Sequence, residues 1–127
     1  MTAFVKLKER GIIRAHGISS HSLDAVKTAV NESWVDTVLV RLNAYGVNMD
    51  DTVENVEPVV KQLHQTGKGV YAMKVFGEGA LADDDEKKDN SISYVLGLGA
   101  VDAMTIGMDK ISDIEDTENR IRKVAKG

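Results

Sequence analysis

The sequence predicts an α/β fold: a (β/α)4 half-barrel with four parallel strands. Three observations carry this. Four short runs rich in β-branched residues begin near residues 12, 36, 70 and 101, a spacing of about 30 residues, the length of a βαβ unit. The stretches between them space their apolar residues as helices do. Of the 127 residues, 43% are hydrophobic and 28% charged, enough for one core and one domain over residues 1–127.

Each element has local reasons. Met1 to Arg10 reads as a short helix before the first strand. The strands read as residues 12–18, 36–42, 69–76 and 101–106, bounded by Gly, Asn or Asp. Leu23, Val26, Ala29 and Val30 fall on one helix face, as do Val53, Val56, Val60 and Leu63. Ile114, Ile121 and Val124 mark the last helix more sparsely. Gly67 and Gly69 end the second long helix, and Gly97 and Gly99 the third. Ser112 and Glu115 have the spacing of a capping box. Pro58 either opens a helix near Glu57 or bends one already running. The acidic run 83–89 reads as a solvated loop and helix start. Alternating strands and helices make right-handed crossovers and a parallel sheet.

Composition excludes several function classes. There is no cysteine, so thiolate chemistry and Cys-ligated zinc are out. Lys and Arg number 16 against 20 Asp and Glu, a net charge of −4 and a poor balance for nucleic acid. No apolar run reaches the ~20 residues of a membrane span. Residues 1–10 lack the apolar stretch of a secretory signal, so a cytoplasmic location is the expectation. Three scattered histidines, His16, His21 and His64, do not make a metal site.

Ligands of parallel α/β units bind beyond the C-terminal ends of the strands. The residues there are 19–21, 43–45, 76–79 and 107–110. His16 is either a structural imidazole or a residue of this mouth, and His21 either a loop residue or a site contact. Lys74, near a strand end, either faces the mouth as an anion contact or acid/base group, or is ion-paired. For Arg41 the plain reading is an ion pair with Glu78 or another acid of the mouth.

At these residues the sequence resembles the aldo-keto reductases. The run from Gly11 to His21 (GIIRAHGISSH) is similar to that family's G-x-I-R-x-I-G-V-S segment. Val38 to Asn43 resembles its strand ending in Asn, and Ala72 to Gly77 (AMKVFG) its next strand. Ile106-Gly107-Met108 and Glu118-Asn119 resemble the end of its last strand and a pair on the following helix. The resemblance covers nearly the whole chain, but only the last four strands of an eight-stranded barrel of roughly 250 residues or more.

The resemblance implies a site for NADPH or NADH. Ser19 and Ser20 would bind the nicotinamide carboxamide, with Met73 where the family often stacks a Tyr. Phe76 and Gly77 would follow the diphosphate. Gly107, Met108, Lys110 and the last helix's N-terminus would meet the adenosine phosphate, with Arg120 and Arg122 nearby. Glu118 and Asn119 would bind adenine. Leu39 replaces a Gln that contacts the carboxamide. Asp109 and Glu115 stand where basic side chains meet the 2′-phosphate, which implies a weakened preference for NADPH.

The family's catalytic Asp, Tyr, Lys and His belong to the other four strands, and none of Tyr45, Tyr71 and Tyr94 has the catalytic context. Two functions follow: a dinucleotide-binding oxidoreductase relative, inactive alone, or a non-catalytic structural or partner-binding half-barrel. Four strands leave two open edges and an uncovered apolar inner face. The expected partner is a second copy, closing an eight-stranded barrel as a homodimer.

Overall fold

The computed structural model describes residues 2–126. Helix α1 (Thr2–Glu9) precedes β1 (Gly17–Ser19), α2 (Leu23–Asn31), β2 (Thr37–Arg41), α3 (Val53–Gln65), β3 (Gly69–Met73), α4 (Asp85–Gly97), β4 (Ala103–Thr105) and α5 (Ile111–Lys126). The four strands form one sheet in the order β1-β2-β3-β4, and every pair is parallel. The expected α/β unit of four parallel strands is present.

The core lies between the sheet and its helices. Val38, Val40, Val70 and Ala72 alternate onto that face and are fully buried. Against them pack Val26, Ala29 and Val30 of α2, Val56, Val60 and Leu63 of α3, and Ile92 and Val95 of α4. The opposite, inner face carries Thr37, Leu39 and Arg41 of β2 and Tyr71 and Met73 of β3, with Ala103 and Thr105 level with the last two. This face is mixed rather than apolar, a correction to the sequence reading.

The strands are shorter than the apolar runs. Gly17 pairs with Thr37, so residues 12–15 lie level with the turn that precedes β2 and have no strand to join. The His16 amide donates to the Asp36 carboxylate instead of continuing the ladder. Likewise Asp102 accepts the Val70 amide through its side chain (2.7 Å), just before β4 begins. After Met73 the backbone turns at Lys74, with φ +94°, and the strand ends there. Gly17 is fixed by contact: a Cβ there would fall 1.8 Å from the Thr37 carbonyl oxygen.

One helix start decides between the two readings of Pro58, and another differs from expectation. Helix α3 begins at Val53 and runs through Pro58, leaving the Glu54 carbonyl without its i+4 amide donor. Helix α5 begins at Ile111, and Ser112–Glu115 makes no capping box: Asp113 accepts the Asp109 and Lys110 amides. The helix expected over residues 1–10 spans Thr2–Glu9; Met1 lies outside the described residues. The acidic run opens α4, with Asp84 capping through the Lys87 amide.

Candidate functional site

A cleft of about 720 Å³ opens beyond the C-terminal ends of β2, β3 and β4. Leu39, Met73 and Thr105 form its floor, Phe76 and Gly79 one wall, and Gly107 to Lys110 with Asp113 and Thr117 the other. Five of the ten residues named from sequence line it: Met73, Phe76, Gly107, Met108 and Lys110. Ser19 is exposed on the edge strand β1, and the Ser20 hydroxyl accepts the Ser22 amide in a local turn. Glu118 and Asn119 are exposed on α5, where Glu118 pairs with Arg122.

Gly77 is buried, and a Cβ there would lie 2.8 Å from Val47 Cγ1. Its φ of +57° also favours glycine. Packing of one loop on another therefore accounts for it. Gly79 and Gly107 are different: a side chain at either would meet nothing within 4 Å, so their backbone is open to the cleft.

Asn43 builds the mouth and carries more of it than the sequence reveals. It is fully buried. Its Nδ2 donates to the carbonyls of Val47 (2.8 Å) and Lys74 (3.1 Å). Its Oδ1 accepts the amides of Tyr45 (3.0 Å) and Val47 (3.1 Å). One side chain thus shapes the β2–α3 loop and ties it to the end of β3. Asn48, with φ +53°, adds a second tie by donating to the Gly77 carbonyl (2.9 Å).

Charge in the cleft runs against a strongly anionic ligand at one end. Glu78, Asp83, Asp109, Asp113 and Asp116 line it beside Lys74, Lys88 and Lys110. Asp113 Oδ2 takes the amides of Asp109 and Lys110, just before α5, and so sets a carboxylate at the helix end that would otherwise attract an anion. Arg120, placed near a phosphate by the sequence reading, lies instead among Asp85 (2.6 Å), Asp89 (2.6 Å) and Asp116 (2.8 Å). Its hydrogen bond to Asp116, with that of Lys88, brings the Asp116 carboxyl down to about 2. Arg122 pairs with Glu118 on the exposed side of α5, and neither arginine lines the cleft.

The remaining candidates are resolved by their partners. Lys74 faces the cleft and pairs with Glu78 at 2.6 Å. Arg41 finds Asp50, 3.7 Å away and almost wholly buried, rather than Glu78. His16 sits at the other end of the sheet, stacked near Trp34 (centroids 6.0 Å apart) and 3.3 Å from Asp36. His21 and His64 are exposed. Tyr94 donates to Glu57 (2.9 Å), and burial with that carboxylate pushes its hydroxyl well above the usual phenol range. It links α4 to α3 and is no proton donor to the cleft. Among the described residues no group of acids and histidines is arranged to hold a metal, and no helix is long and apolar enough to cross a membrane.

A D-threo-aldose 1-dehydrogenase of a Pseudomonas species is 29% identical over 92 residues, 72% of this chain but 27% of that protein. The matched segment is thus about a quarter of the length of this curated relative. No solved structure matches the chain. The aldo/keto reductase family model matches residues 1–125, and with four parallel strands and the cleft beyond their ends in place, the chain belongs to the aldo/keto reductase family.

Proposed function

We propose that this chain binds a nicotinamide dinucleotide in the cleft, as an oxidoreductase-family half-barrel that lacks the acid–base half of the active site. The observation that carries this is the convergence of Met73, Phe76, Gly107, Met108 and Lys110 on one cleft, with open backbone at Gly79 and Gly107. Its volume lies in the ordinary range of cofactor sites. Phe76 and Gly79 suit the diphosphate region, Met73 the nicotinamide, and Ser19 with Ser20 its carboxamide. Glu118 and Asn119 on exposed α5 would meet adenine.

The adenosine end favours NADH. The Asp113 carboxylate sits at the start of α5 on the amides of Asp109 and Lys110, Asp109 lines the cleft, and neither Arg120 nor Arg122 does. A 2′-phosphate there would meet Asp109 and Asp113 with Lys110 alone beside them and no arginine. Titration of reduced cofactor, followed by its fluorescence, should give NADH affinity in the micromolar range and NADPH binding weaker by about tenfold. NADPH binding as tight as NADH contradicts the cofactor preference. Absence of binding at millimolar NADH contradicts the whole reading. It would leave the second one, a structural or partner-binding half-barrel, which the excess of five acids over three lysines around the cleft supports.

We also propose that the expected cytoplasmic homodimer closes the sheet, with β4 of one copy beside β1 of the other. Both edge strands are three residues long, and β4 sits two residues further along the sheet than β1, the sense of stagger a closed barrel needs. By connectivity α5 and the partner's α1 would cover the same junction, so α1, tied back by the Lys8–Asp36 pair, is the element that must give way. Light scattering at micromolar concentration should show twice the chain mass; a monomer alone contradicts closure by self-association.

A further inference from the structure

We propose that Lys74 is the cation that receives the diphosphate of the bound nucleotide, and that Glu78 is an internal carboxylate it releases to do so. The proposal rests on the dinucleotide reading above and names the residue that carries the charge at its centre.

Three lysines line the cleft, and they differ in what holds them. Lys88 is committed: Asp85 and Asp116 both lie 3.0 Å from its ammonium, and its side chain is mostly buried. Lys110 is exposed at the start of α5, next to Asp109 in sequence and with its amide on Asp113. Lys74 stands at the end of β3, between the floor residue Met73 and the Phe76–Gly79 wall. Its one ion-pair partner is Glu78, at 2.6 Å, and both side chains are about one-third or more exposed. A pair so exposed is weakly held and exchanges its carboxylate for another anion at little cost. The Nζ–H···Oε bond to Glu78 breaks, Nζ–H···O–P bonds form, and the freed Glu78 carboxylate, already 43% exposed, is taken up by water. An ammonium offers three donors to phosphate oxygens.

The backbone gives an independent reason to assign the side chain a task. Lys74 has φ +94° and Glu78 φ +58°, conformations that favour glycine. The Lys74 carbonyl is held there by Asn43 Nδ2 and by the Gly77 amide (2.8 Å). Glycine would adopt this turn without strain, yet a lysine occupies it and projects into the cleft. Glu78 lies next to Gly77 and Gly79, both at positive φ, so its carboxylate is carried on a turn of 3-10 character between two glycines.

The test uses the intact chain with inorganic pyrophosphate by calorimetry and with NADH by fluorescence. Lys74→Gln and Lys74→Gly should each weaken pyrophosphate binding on the order of tenfold, and flatten its salt dependence by about one charge. Lys74→Gly should do this without lowering the unfolding temperature, because glycine relieves the strained turn. Glu78→Gln should strengthen binding severalfold, and Lys87→Gln, which removes a charge outside the cleft, should change it little. Pyrophosphate and NADH binding that survive Lys74→Gly overturn the proposal, as does an equal loss in Lys87→Gln. If pyrophosphate binds through Lys74 while NADH does not bind, the diphosphate assignment stands and the dinucleotide reading falls.

Discussion

Asn43→Ala should lower the stability of the chain by about 3–4 kcal/mol and abolish ligand binding in the cleft. The figure follows from four hydrogen bonds lost from a fully buried side chain, at about 1 kcal/mol each. The amides of Tyr45 and Val47 and the carbonyl of Val47 lose their Asn43 partners in a loop with no strand to pair with. The Lys74 carbonyl retains only the Gly77 amide. Because Asn43 links the ends of β2 and β3, the β3–α4 loop should loosen with it. Asn43→Asp should cost nearly as much: its two oxygens would serve the amides but face two carbonyls. Urea unfolding measures both, and a loss below 1 kcal/mol for Asn43→Ala would show that water replaces the side chain.

Arg120→Met should cost about 2 kcal/mol at neutral pH, below the ~3–5 kcal/mol for breaking a fully buried charge pair because its carboxylate partners are 41% to 80% exposed. Arg120 itself is nearly buried and joins α5 to the start of α4 through Asp85 and Asp89. The pH dependence has a definite sign. Asp116 sits at about 2 in the fold against an ordinary 3.8, so its contribution is complete above about pH 4. It is lost as pH falls through 2, where the folded carboxyl takes up its proton. The stability difference between wild type and Arg120→Met should therefore shrink between pH 4 and pH 2. A difference that grows on acidification would contradict this assignment of the network.

The architecture was legible in the sequence because period and punctuation agree. The buried face of α2 is the apolar stripe read from spacing, that of α3 differs from it in having Val59 in place of the half-buried Val53, and the four strands occur in the expected order. Strand ends were not legible, because pairing stops where the neighbour stops: Ile12 and Ile13 are β-branched, but nothing lies beside them to pair with. The start of α5 was misread for a related reason. Ser112 offers the usual cap chemistry, while Asp113 has the longer reach back to the Lys110 amide. In the cleft, the type of each residue was readable but its commitments were not. Arg120 looked like a phosphate ligand until Asp85 and Asp89, some thirty residues earlier in the chain, came to face it. The family resemblance puts Gly77 along the diphosphate, and only the fold shows Val47 filling the space its side chain would need. Asn43 is a single Asn after a strand, and its four bonds depend on a loop that sequence does not specify.

The most direct measurement is a hydrogen-exchange footprint of the intact chain with and without saturating NADH. The expected result is slowed exchange in residues 74–80 and 105–119, with α2 and the N-terminal ends of the strands unchanged. Slowed exchange confined to the opposite end of the sheet, or no change anywhere at millimolar NADH, would contradict a dinucleotide site in this cleft.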